Sequence, residues 1–126
     1  MFKKNNAFSG FSVNDIPKAK AFYGQVLGLE VTESNGMLEL QIANGSKVLV
    51  YPKPSHTPAT FTILNFPVTN IEQAVAELSA AGVIFEKYDE ADLKTNQNGI
   101  VSAGGGPKIA WFKDPAGNIL SVIEIA

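Results

Sequence analysis

FSVNDIPKAKAFYGQVLGLEV, residues 11–31, is answered further along the chain by FPVTNIEQAVAELSAAGVIF, residues 66–85. At one constant offset Phe11 aligns with Phe66, Val13 with Val68, Asp15 with Asn70, Ile16 with Ile71, Ala19 with Ala74 and Ala21 with Ala76. A second echo, at a wider offset, sets Ala43-Asn44-Gly45 before KVLVY against Pro115-Ala116-Gly117 before ILSVI. Matches in this order, with the same elements predicted around them, indicate one fold made of two modules. Anything functional is expected where their sheets face each other.

The first module, about residues 5–52, opens with a strand near Ala7–Val13. Asn14 or Asp15 can cap the helix that follows, and Pro17 falls in its first turn, where a missing N–H costs nothing. Ile16, Ala19, Phe22, Tyr23, Val26 and Leu27 recur at helical spacing, and Gly28 supplies a left-handed stop. Phe22 and Tyr23 read as helix-to-sheet packing. Strands are expected at Leu29–Glu33, Met37–Ala43 and Lys47–Tyr51, turning at Ser34-Asn35-Gly36 and Asn44-Gly45. Residues 53–59 read as a linker. The second module, about residues 60–126, repeats the order: a strand at Thr60–Val68, then a helix capped by Asn70 with Gln73 placed for a capping box. Ile71, Ala74, Val75 and Leu78 form that helix's apolar stripe, Gly82 ends it, and strands are expected near Val83–Lys87, Lys108–Lys113 and Ile119–Glu124. The polar, glycine-rich DEADLKTNQNGIVSAGGG between them reads as a loop. The fold class is therefore α+β, two βαβββ modules in a single domain forming a cupped mixed sheet with helices on its outer face.

Length and composition limit the function. A chain of 126 residues suits one compact domain with a core, and cannot hold two independent ones. Its net charge of -2, from 10 basic and 12 acidic side chains without a lysine-rich stretch, argues against nucleic acid and anionic membrane as partners. The absence of cysteine excludes disulfides, thiolate zinc sites and a cysteine nucleophile. MFKKNNAF holds no apolar run long enough for a signal peptide and no segment could span a bilayer, so a cytoplasmic protein is expected.

The residues V-N-D-I-P-K-A-K-A-F-Y-G-Q-V-L-G-L-E-V (Val13–Val31) and F-K-D-P-A-G-N-I-L-S-V-I-E (Phe112–Glu124) resemble the hallmarks of the vicinal-oxygen-chelate superfamily. That superfamily includes glyoxalase I, extradiol dioxygenases and the bleomycin- and fosfomycin-resistance proteins. The resemblance implies a cup that usually holds one divalent metal on His, Gln or Glu from the first and last strand of each module. Carried onto this sequence, those positions are Phe8, Leu49, Ile63 and Ser121, and a one-residue shift gives Ser9, Val50, Leu64 and Leu120 or Val122. None of these makes a divalent site, because such ions need nitrogen, carboxylate or thiolate lone pairs and a serine hydroxyl alone is weak. The expectation is no metal and no cofactor, which puts the family's metal-dependent chemistry in doubt here.

Strand alternation supplies the wall of the cup instead. Phe8, Gly10 and Ser12 should face it, with Met37, Glu39 and Gln41 and then Lys47, Leu49 and Tyr51. From the second module come Phe61, Ile63 and Asn65, then Ile109, Trp111 and Lys113, then Ile119, Ser121 and Ile123. Phe8, Met37, Glu39, Leu49, Tyr51, Ile63, Asn65, Trp111 and Ser121 are accordingly the candidate ligand-binding residues, in a wall that is mostly aromatic and aliphatic. Trp111 could stack on a planar or cationic ligand, or could be core or dimer contact. Glu39 is the candidate catalytic residue: buried, it would act as a base or cation receptor, and otherwise it bonds Lys47, Tyr51 or solvent. Ser121 lacks an activating base. His56, the only histidine, reads as an exposed linker residue. Gly104-Gly105-Gly106 lacks the G-K-[ST] of a phosphate loop, and Asp89, Glu90 and Asp92 lack the spacing of a calcium loop. The leading expectation is non-catalytic binding of a small molecule by a homodimer, in the manner the resemblance implies for bleomycin-binding proteins. The rival is a lyase, isomerase or dioxygenase with an atypical site based on Glu39. A third reading fills the cup with Phe8, Met37, Leu49 and Trp111 and leaves function to the surface.

Overall fold

A computed structural model describes residues 1–102 and 106–125. The chain divides into two compact units, Met1–Thr57 and Pro58–Ala126, at the expected linker. The first runs β1 (Ser9–Val13), α1 (Ile16–Ala21), β2 (Glu30–Ser34), β3 (Met37–Gln41) and β4 (Lys47–Pro52). Its sheet has the order β1-β4-β3-β2, with β1 and β4 parallel and the other pairs antiparallel. Asp15 caps α1 by accepting from Lys18 N at 3.0 Å. The helix does not stay α-helical to Gly28. Residues Phe22–Val26 widen into a π-helical turn, closed by Leu27 N donating to Phe22 O at 2.9 Å. That turn buries Tyr23 completely, packed on Phe11 at 5.7 Å and edge-on to Phe22 at 5.2 Å. The hairpin between β2 and β3 turns on Asn35 (φ 55) and Gly36 (φ 76), the two positive dihedrals that an Asn-Gly pair adopts cheaply.

The second unit comprises β5 (Thr62–Val68), α2 (Ile71–Ala80), β6 (Asp89–Glu90), β7 (Leu93–Lys94), β8 (Ile100–Val101), β9 (Ile109–Lys113) and β10 (Ile119–Glu124). Its main sheet, β5-β10-β9-β8, repeats the first, with β5 and β10 as the parallel pair. Asn70 caps α2 through Gln73 N, but Gln73 turns its amide to Glu77 instead of completing the capping box. Glu124 on β10 satisfies a different donor of the first turn, accepting Ile71 N at 3.0 Å. Lys108 reaches Glu72 in the first turn of α2 at 2.8 Å. This bond holds Glu72 below the usual carboxylate range and raises Lys108. Its stabilising effect is thus present between the two ordinary pKa values, and is lost as pH falls through Glu72's or rises through Lys108's.

The expected strand at Val83–Lys87 does not form. Phe85 makes a single bridge to Phe112, Glu86 N donates to Trp111 O at 2.8 Å, and the chain then leaves the sheet. The sheet edge is completed by Ile100–Val101, inside the stretch expected to be loop, which also folds the small β6–β7 hairpin. Asn96 makes this possible, its Oδ1 accepting Asn98 N at 2.8 Å and Ile100 N at 3.0 Å. Gly99 (φ +85) completes the turn, where a Cβ would stand 2.9 Å from that of Phe85. The glycine run falls largely outside the described residues, with only Gly106 inside them.

In each unit alternate strand residues are buried: Phe11, Val13, Leu38, Leu40 and Val50 in one, Ala110, Phe112, Leu120 and Val122 in the other. Helix contacts confirm the faces, α1 lying on β3 and α2 on β9 and β10. The β9–β10 turn is held by Asp114, which is 5 % exposed. Its Oδ1 accepts Ala116 N and Asn118 N at 2.9 Å each, and its Oδ2 accepts Asn118 Nδ2 at 3.0 Å. Asp114→Ala would strip three donors of their acceptor and should cost roughly 3 kcal/mol in urea-unfolding stability. A loss under about 1 kcal/mol would mean that the turn's backbone bonds alone suffice.

Candidate functional site

The helix-free face of each sheet collects the candidate residues of its own module. In the first, Leu49 stands opposite Gly10 on one side and Glu39 on the other. Gly10 matters at this crossing, since a Cβ there would lie 3.3 Å from Leu49 O and 4.0 Å from the Tyr51 ring. Phe8, 57 % exposed, precedes β1 and lies beneath the Lys47 ammonium, 5.4 Å from its ring centre. Met37 and Tyr51 share this face by strand alternation.

Glu39 is not buried. Its side chain is 35 % exposed and its Oε2 is 3.3 Å from Lys47 Nζ, a diagonal contact set by the β3–β4 register. A partly solvated ion pair of this kind contributes little to stability.

In the second module Ser121 stands opposite both Asn65 and Trp111, the same row that Leu49, Gly10 and Glu39 form in the first. Glu39 and Trp111 are therefore equivalent by structure as well as by repeat. Ser121 is fully buried, and its hydroxyl donates to Asn65 Oδ1 at 2.5 Å. The half-buried Trp111 is pinned on two sides. Its indole N–H donates to Thr62 Oγ1 at 3.1 Å, and its ring meets Tyr88 edge to face at 5.8 Å.

Thr62 was invisible to strict alternation, which assigns Phe61, Ile63 and Asn65 to this face. A bulge between Ile119 and Leu120 pairs Ile119 with Thr62 and Leu120 with Leu64, leaving Ile63 without a cross-strand partner. The extra residue turns Thr62 toward the indole. Tyr88 was missed because the misplaced strand ended just before it. The one available signal was chemical, since a partly buried indole N–H needs an acceptor.

The positions to which the family's metal ligands map do not fit a divalent ion. Phe8, Leu49 and Ile63 offer no lone pair, and the Ser121 hydroxyl is already committed to Asn65. Among the described residues no three His, Cys, Asp or Glu side chains are grouped so as to hold a metal. His56 is not the exposed linker residue that its setting suggested. It is half-buried, and its Nδ1 lies 2.6 Å from Ser12 Oγ.

The model of the Glyoxalase/Bleomycin resistance protein/Dioxygenase superfamily matches residues 8–122. This chain belongs to that superfamily. Among solved structures it is similar to a glyoxalase family protein from Enterococcus faecalis, at 23 % identity and TM-score 0.72, covering 98 % of this chain and 100 % of that one. A genomically encoded fosfomycin resistance protein from Listeria monocytogenes matches with TM-score 0.70 at 15 % identity, over 95 % and 92 % of the two chains. A glyoxalase/bleomycin resistance protein from Catenulispora acidiphila gives 0.68 at 21 % identity, over 96 % and 98 %. These likenesses establish the fold. No protein of curated function matches the chain. Among the described residues, no helix is long and apolar enough to cross a membrane.

Because Trp111 is the only tryptophan, its emission reports directly on this corner. Thr62→Val removes the indole's acceptor and should lower stability by about 1 kcal/mol in urea unfolding followed by fluorescence. An unchanged midpoint would show that Tyr88 and the sheet hold the ring without Thr62.

Proposed function

We propose that this protein binds a small, partly apolar molecule on the helix-free sheet face of its second module, without converting it and without the divalent ion usual in the superfamily. The observation that carries this reading is the fixed aromatic corner of the second module. Trp111 is oriented by Thr62 and Tyr88 beside the Ser121–Asn65 pair. A ring held in advance loses little entropy on binding, so a planar ligand retains more of its stacking energy. A few polar groups beside an apolar surface are the usual composition of a small-molecule site. The non-metal donor set at the mapped positions supports the metal-free part of the proposal. The protein would act as a cytoplasmic homodimer, with neither nucleic acid nor membrane as partner.

The rival reading makes Glu39 the base of a lyase, isomerase or dioxygenase. Its contact with Lys47 favours a charge-pair role instead, since one carboxylate oxygen is already engaged by the ammonium at 3.3 Å.

Non-denaturing mass spectrometry of the untagged protein, purified without chelator, tests the proposal. A dimer, bare or carrying an organic adduct, supports it; a mass excess of one divalent ion per chain overturns the metal-free reading. For any adduct found, Trp111→Ala should weaken binding at least about tenfold, as truncating a buried aromatic anchor does. Glu39→Gln should change selectivity only. Wild-type turnover of the adduct compound that disappears in Glu39→Gln would establish the enzyme instead.

A further inference from the structure

The linker carries chemistry that neither the superfamily nor the proposed binding face accounts for. After β4 the chain is tied back to β1 by Lys53 N donating to Val13 O at 2.9 Å. It then reverses in a turn closed by His56 N donating to Lys53 O at 2.9 Å. Pro54 takes the second position of that turn, where its ring fixes the φ the turn requires. Both anchors lie beside the end of β1, so the His56 imidazole reaches Ser12 across the module, with Nδ1 2.6 Å from Oγ. Ser12 and His56 are each half-buried and so retain access to solvent. Ser12 stands opposite Tyr51 in the β1–β4 register, and Tyr51 is 38 % exposed.

A hydroxyl within hydrogen-bond reach of an imidazole, itself held by a rigid turn, is the arrangement that activates a serine. We infer that Ser12 is a nucleophile with His56 as its general base, and that the pair accepts small aryl esters whose ring rests on Tyr51. With the imidazole proton on Nε2, Nδ1 takes the Ser12 proton as Oγ attacks the ester carbonyl. The Oγ–C bond forms, the C–O bond to the aryl group breaks, and the phenol leaves with the proton returned by His56. Water then attacks the acyl-serine carbonyl, giving its proton to Nδ1, which passes it to Oγ as the Oγ–C bond breaks. The carboxylic acid leaves and the Ser12 hydroxyl is restored. No oxidant, metal or further co-reactant is needed. The inference is independent of the ligand proposed for Trp111, whose contacts lie in the other module.

A fluorophosphonate probe tests it on the intact protein, because attack by Oγ displaces fluoride and leaves a permanent mass tag. Peptide mapping should place the tag on Ser12. His56→Gln should slow labelling by at least about 100-fold, the scale of a lost general base. Ser12→Ala should abolish both the tag and hydrolysis of 4-nitrophenyl acetate above the rate of the buffer. Mapping the tag on the wild-type protein needs no variant, so it stands even if a substitution disturbs the fold. No tag on Ser12, or a His56→Gln protein labelled as fast as wild type, would overturn the inference.

Discussion

One short helix can cover only one face of a four-stranded sheet, and this constraint governs both modules. Strand residues point alternately to the two faces, so covering one face commits every second side chain to the core. In the first module Leu38, Leu40 and Val50 are buried on the face that carries α1, whose π-helical continuation delivers Tyr23. Their neighbours Met37, Glu39 and Leu49 are then bound to the other face and are only partly covered. The second module applies the same division to Phe112 and Trp111, adjacent residues with opposite roles. The candidate site is thus the complement of the core.

That complement is chemically different in the two modules, although their backbones repeat. The row at the centre of the first holds Gly10, Leu49 and Glu39; the corresponding row of the second holds Asn65, Ser121 and Trp111. One ends in a solvated carboxylate paired with lysine, the other in an immobilised indole. The two modules share one ladder and differ in the side chains it carries, so membership of the superfamily does not identify a reaction.

Most of the fold was legible because its signals are local. Asp15 and Asn70 each cap the helix that follows them, Asn35-Gly36 turns the expected hairpin, and Gly28 and Gly82 both take positive φ. The parity of the strands followed from the alternation around Leu38 and Leu40. What escaped was decided by distant contacts. Ile100 rather than Ile84 completes the sheet edge, because Asn96 and Gly99 build a turn against Phe85 whose register no local pattern announces. The bulge that turns Thr62 to Trp111 shifts a strand by one residue in a stretch that looks regular. His56 looked exposed between two prolines, yet Pro54 shapes the very turn that brings it to Ser12.

The parallel pairing of first and last strand in each module also bears on how the chain reaches its folded state. β1 meets β4 and β5 meets β10 only after every intervening element has formed or been bypassed, so neither sheet can be closed by hairpins alone. The second closure spans about 55 residues against about 40 for the first, yet the extra loop entropy is only about 0.3 kcal/mol. The inserted β6–β8 region is consequently cheap to carry at equilibrium. Its effect falls on kinetics, because pairings so distant along the chain slow the search, and the first module should complete its sheet ahead of the second.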